Sequence, residues 1–106
     1  MTSLVLVADD DPVQRRLLEA MARRFGYQVE TVEGGEAALT RLEAADKPPV
    51  DCLVLDLVMP DLDGMGVLTR MRDAKMTTPV IVQTGHGSIE SVISAMRAGA
   101  QDFVVK

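Results

Sequence analysis

Three observations predict that this chain folds as an α/β domain on a parallel sheet. Short apolar runs alternate with helical patterns along all 106 residues, the run at Val50 to Leu55 is close to continuously apolar, and two of the runs end in carboxylates. Strict alternation of five strands with four helices calls for parallel strands joined by right-handed crossovers. The length suits one domain, residues 1–106, and no internal repeat, low-complexity segment or inter-domain linker interrupts it.

Each element follows from its local pattern. Leu4 to Ala8 reads as strand 1. Asp11 precedes Pro12, and proline favours the first position of a helix, so Asp11 most simply caps helix 1. Val13, Leu17, Leu18, Met21 and Phe25 recur at helical spacing, with Gly26 as the stop. Tyr27 to Val32 reads as strand 2. Ala38, Leu39, Leu42 and Ala45 make one face of helix 2, ended by Lys47-Pro48-Pro49. Val50 to Leu55 is strand 3, and its apolar character predicts cover on both faces. Pro60 to Gly64 is a loop by composition, and Val67, Leu68 and Met71 mark helix 3. Pro79 to Gln83 is strand 4. Gly85-His86-Gly87 is a turn, Ser88 caps helix 4, and Ile89, Val92, Ile93 and Met96 form that helix's stripe, with Gly99 near its stop. Asp102 to Val105 is strand 5, followed by Lys106.

Composition narrows the function. The chain is 47% hydrophobic, enough for a core, and its net charge of -5 argues against nucleic-acid or anionic-membrane binding. Cys52 has no second cysteine to pair with and lies in an apolar run, which predicts a buried small hydrophobe in a reducing compartment, the cytoplasm. The amino-terminal apolar stretch is too short for a signal peptide's core and lacks a basic leader, and no run approaches membrane-spanning length. The seven methionines fall mostly on apolar positions and read as core filler.

The chemistry gathers at strand ends. Asp9 and Asp10 follow strand 1 and Asp56 follows strand 3. In a parallel sheet these ends share one edge, where open α/β sheets place ligands. Carboxylates about 4 Å apart at an effective dielectric near 20 repel by roughly 4 kcal/mol. A divalent ion removes that strain, and all-oxygen ligands suit Mg²⁺ or Mn²⁺ over zinc. Thr84 closes strand 4 with a hydroxyl that can bond a phosphoryl oxygen, and Lys106 closes strand 5 with a mobile positive charge. Each has an ordinary reading as a turn acid, a β-branched strand residue or a solvated terminal lysine. Their joint placement at four strand ends is what those readings leave unexplained.

This ordered set resembles the receiver domain of two-component response regulators. The matching residues are Asp9-Asp10, Asp56, Met59-Pro60-Asp61 with Gly64, Thr84-Gly85, and Phe103-Val104-Val105-Lys106, and the resemblance covers essentially the whole chain. Thr84-Gly85-His86-Gly87-Ser88 and Ala95 to Ala100 look most like receivers of the nitrogen-regulator type. The resemblance implies a flavodoxin-like, doubly wound five-stranded sheet in the order 2-1-3-4-5. It implies that Asp56 is the phospho-acceptor, that Asp10, Asp56 and the Val58 carbonyl bind Mg²⁺ (Mn²⁺ in its place), and that Asp9 helps through water. Thr84 and Lys106 would grip the phosphoryl group, and Thr84 and Phe103 would form the switch toward helix 4 and strand 5. The implied partners are a sensor histidine kinase and a downstream output domain, in transcription regulation, with no nucleic acid bound by this domain. The domain would be no enzyme in the ordinary sense, although it assists its own phosphorylation and dephosphorylation.

Several readings stand beside that one. His86 reads as an exposed loop histidine more readily than as a general base. Val58 cannot orient an attacking water by hydrogen bonding, which predicts slow self-dephosphorylation. The family's chains continue past this lysine into a fifth helix, so the domain reads as truncated before that helix. The sheet face beside helix 1 is then expected to lack cover, with homodimerisation as one way to supply it. A phosphate-independent pseudo-receiver scaffold is the alternative function. A Mg²⁺-dependent aspartyl-phosphate hydrolase is the weaker one, because the second acid such enzymes carry two places after the nucleophile is here Val58. No Walker loop or Gly-x-Gly-x-x-Gly is present.

Overall fold

The computed structural model describes residues 3–84 and 89–105. Its strands are β1 (Leu4–Ala8), β2 (Gln28–Val32), β3 (Cys52–Asp56), β4 (Val80–Thr84) and β5 (Asp102–Val105). The helices between them are α1 (Pro12–Arg24), α2 (Gly35–Leu42), α3 (Gly64–Asp73) and α4 (Ile89–Arg97). All strand pairs are parallel, and the order across the sheet is β2-β1-β3-β4-β5. Strands 1 and 5 have the bounds the sequence predicts. Strands 3 and 4 start later than predicted, at Cys52 and Val80, and end one residue further, so Asp56 and Thr84 are the last residues of their strands.

One face of the sheet carries the core. Leu6 and Ala8 of β1, Leu53 and Leu55 of β3, and Val80 and Val82 of β4 point to it. They meet Ala38 and Leu39 of α2, Val67, Leu68 and Met71 of α3, and Ala95 of α4. Fully burying a Leu or Val side chain contributes roughly 1.5–3 kcal/mol, so this layer is the main source of stability. Met59 and Met71 fill it and Met65 and Met76 pack at its margin, as expected of filler, whereas Met21 and Met96 are exposed.

The opposite face departs from expectation. Strand 3 does not have full cover on both sides: Cys52 and Val54 are half-buried. α1 packs on β1 and β2 and leaves β3 and β4 partly bare. The result is an apolar groove of about 560 Å³ lined by Val5, Val7, Val54 and Ile81 of the sheet and Leu18 and Met21 of α1, among others. No residue of α1 is fully buried, and Val13, Leu17, Met21 and Phe25 all remain exposed. Among the described residues this face of the sheet is therefore only partly covered. Cys52, expected to be buried, is only half-buried, and that burial pushes its thiol up from the ordinary value.

Two helices correct the sequence reading. α2 ends at Leu42, so Ala45 lies beyond it and is exposed. Among the described side chains of α4 the buried one is the small Ala95, with Ala98 just past the helix end, while of the expected stripe Ile93 and Met96 are exposed and Val92 is half-buried. Alanines let the helix approach closely, and Ile93 and Met96 turn outward. The Ser88 cap, the Gly85-His86-Gly87 turn and Lys106 lie outside the described residues.

Candidate functional site

The site lies at the carboxyl edge of β1, β3 and β4. Asp9 is fully buried at the end of β1 and Asp56 is 3% exposed at the end of β3, while Asp10 is exposed. Each offers a carboxylate oxygen, and the three atoms lie within 4.8 Å of one another. Parallel pairing of β1 with β3 brings two carboxylates together from residues 47 positions apart. Asp11 stands aside as predicted: its side chain accepts from the Val13 N–H at 2.9 Å and caps α1.

Backbone donors and one guanidinium shape the pocket. The Asp11 N–H donates to Asp9 Oδ1 at 2.9 Å. The Val58 N–H donates to Asp56 Oδ1 at 3.1 Å, which sets the Val58 peptide against that carboxylate and leaves its side chain in solvent. Arg15 of α1 donates to the Asp9 carbonyl at 2.7 Å and faces Glu33 at 3.4 Å. Thr84 is buried at the end of β4. Phe103, on β5, is in register with Val82 and 43% exposed.

The loop after Asp56 is held at both ends. Gly64 opens α3 so close to the strand that a Cβ there would sit 2.6 Å from the Asp56 carbonyl oxygen and 2.8 Å from Leu57 Cα. Asp63 caps α3 by accepting from the Gly66 N–H at 2.8 Å. Asp61 reaches across to α2, whose own cap residue, Gly34, has no side chain, and accepts the Gly35 and Glu36 N–H groups at 3.2 Å each. These backbone donors, with that of Leu62 foremost, hold the Asp61 carboxyl below the ordinary value. Sequence reasoning placed Asp61 only in a loop motif and missed this cross-loop cap. It also missed Gln83, a buried amide beside the acids whose one sequence signal was a polar residue inside an apolar strand.

A profile of the response regulator receiver domain matches residues 5–106. The chain belongs to that family. Among its relatives, the transcriptional regulatory protein TrcR of Mycobacterium tuberculosis is 32% identical over 96% of this chain and 38% of that protein. The receiver domain of Francisella response regulator 1452 superposes with a TM-score of 0.90 at 30% identity, covering 99% of this chain and 84% of that one. NtrX from Brucella abortus gives a TM-score of 0.88 at 31% identity, over 100% of this chain and 23% of that one. The chain thus spans well under half the length of the curated relatives it matches. As a receiver domain it is a module of phosphorylation-controlled signalling in two-component systems. No helix among the described residues is long and apolar enough to cross a membrane.

Proposed function

We propose that this domain is a cytoplasmic switch that accepts a phosphoryl group on Asp56 from a sensor histidine kinase, with Mg²⁺ (or Mn²⁺) held by Asp10, Asp56 and the Val58 carbonyl and assisted by Asp9. The observation that carries the proposal is the meeting of three carboxylates at one sheet edge. An all-oxygen donor set of that size fits a small hard cation. When bound, such an ion would neutralise charge on the transferring group.

The chain's own residues supply the rest. A carboxylate oxygen of Asp56 attacks phosphorus, the bond from phosphorus to the donor nitrogen breaks, and an acyl phosphate forms. The Val58 N–H bond orients that carboxylate. The Thr84 hydroxyl and the Lys106 ammonium stabilise the phosphoryl oxygens, so the domain assists its own phosphorylation and its reversal. An inward move of Thr84 would vacate space toward Phe103, which is exposed on β5. That shift biases the surface of α4 and β5, which an output domain then reads.

Residues 5–106, the span that matches the receiver family, act as one switch domain in this reading. The bare apolar groove beside α1 supports a further segment, or a second copy of the domain, as its cover. Intact-mass measurement after incubation with Mg²⁺ and acetyl phosphate tests the switch. One added phosphoryl group, absent in Asp56→Asn, is the expected result. No adduct favours a phosphate-independent scaffold, and multiple turnover of a phosphomonoester favours a hydrolase.

A further inference from the structure

The reading above uses carboxylates, a hydroxyl and a lysine, and leaves out the amide of Gln83. This side chain is 2% exposed, sits one residue before Thr84, and is in register with Asp56. A buried amide is costly unless its groups are paired. Here both are: Nε2 donates to Asp9 Oδ2 at 2.9 Å, and Oε1 accepts from Gln14 Nε2 of α1 at 3.3 Å. An ionised carboxylate only accepts, so the nitrogen of the amide must face Asp9. The two oxygens of Asp9 are thereby held by different elements, Oδ1 by the Asp11 N–H and Oδ2 by β4. A methionine or leucine in place of Gln83 would suit the apolar strand and would strip one of those donors away.

Resting on the metal-binding reading of the acidic cluster, we infer that Gln83 is a positioning residue for the cation. It locks the Asp9 carboxylate in the orientation that the ion's hydration shell meets, and Gln14 locks Gln83 in turn. Hydrogen-bond partners standing behind metal ligands are worth about 10–100-fold in metal affinity. Asp9 acts through water in this reading, so the lower end, about tenfold, applies.

Calorimetric titration of Mg²⁺ into the wild type, Gln83→Met and Gln14→Leu tests this, together with the rate of phosphorylation by acetyl phosphate at limiting and saturating Mg²⁺. Gln83→Met keeps the volume and removes the donor. It should bind Mg²⁺ about tenfold more weakly, and its phosphorylation rate should return to the wild-type value once Mg²⁺ saturates. Gln14→Leu should show a smaller loss in the same direction. Wild-type Mg²⁺ affinity in Gln83→Met, or a defect that saturating Mg²⁺ does not repair, overturns the inference. If circular dichroism shows Gln83→Met unfolded, Gln14→Leu decides: weaker Mg²⁺ binding upholds the inference, and unchanged binding overturns it. A wild type that binds no Mg²⁺ overturns the metal reading itself, a result distinct from equal binding by wild type and variants.

Discussion

Removing one charge from the acidic cluster should stabilise the metal-free domain, and Asp56→Asn is the cleanest way to do it. Asp9 and Asp56 are both buried, and their facing oxygens lie within 4.8 Å. At that separation and an effective dielectric near 20, two ionised carboxylates repel by about 3.5 kcal/mol. Asp10 and the outer rim face water, and the Arg15 guanidinium lies against the Asp9 backbone, so only part of that repulsion reaches the folding free energy. About 1–2 kcal/mol is carried forward after screening, which raises the melting temperature by roughly 4–8 °C per kcal/mol in a domain of this size. Asparagine keeps an oxygen for the Val58 N–H, so the local hydrogen bond survives. Thermal unfolding followed by circular dichroism, once in chelator and once in saturating Mg²⁺, reads the effect. In chelator the variant should melt above the wild type. Mg²⁺ should raise the wild type by preferential binding to the folded state and do little for the variant. A variant that melts at or below the wild type in chelator refutes the claim that repulsion is stored at this edge.

Three further outcomes follow from the same geometry. Gly64→Ala should destabilise the domain by about 1–3 kcal/mol and weaken Mg²⁺ binding, because the added carbon meets backbone at Asp56 and Leu57; denaturant unfolding and calorimetry measure both. Glu30, bonded by the buried Arg41 at 2.6 Å, is held below its ordinary 4.5. The unfolded chain therefore takes up that proton first, and the stabilisation present above about pH 4.5 is lost as pH falls through the lower folded value. Glu30→Gln should flatten the acid limb of the melting-temperature profile, and an unchanged limb counts against the pairing. Val58 leaves no hydrogen-bonding side chain at the position beyond Asp56, so the phosphorylated domain should outlast removal of the donor by well more than seconds. Val58→Asn should shorten that lifetime, as followed by mass against time.

The fold was legible because its signals are local and repeated. Continuous apolar runs and their spacing located β1, β3 and β4, and the Asp11-Pro12 pair marked the start of α1. The acids were legible for a topological reason: parallel strands put their carboxyl ends on one edge, so Asp9, Asp10 and Asp56 could be joined without coordinates. What stayed hidden depends on cross-chain packing. Gln83 carries no sequence signal beyond a polar residue closing an apolar strand, and its role shows only once Asp9, 74 positions away, stands beside it. Asp61 caps a helix 25 positions earlier, which no local pattern encodes. Two members of the α4 stripe, Ile93 and Met96, misled because apolar size was taken as burial. The helix rests on Ala95 and shows Ile93 and Met96 to solvent, since close approach needs a small residue at the contact.

The most direct test of the central claim is chemical location of the phosphoryl group. Borohydride reduces an aspartyl phosphate to homoserine, and peptide mapping by mass spectrometry then reads the position. After treatment with Mg²⁺ and acetyl phosphate, the account predicts homoserine at position 56 and aspartate at positions 9 and 10. Reduction at position 9 or 10, or none at all in protein shown to bind Mg²⁺, would contradict it.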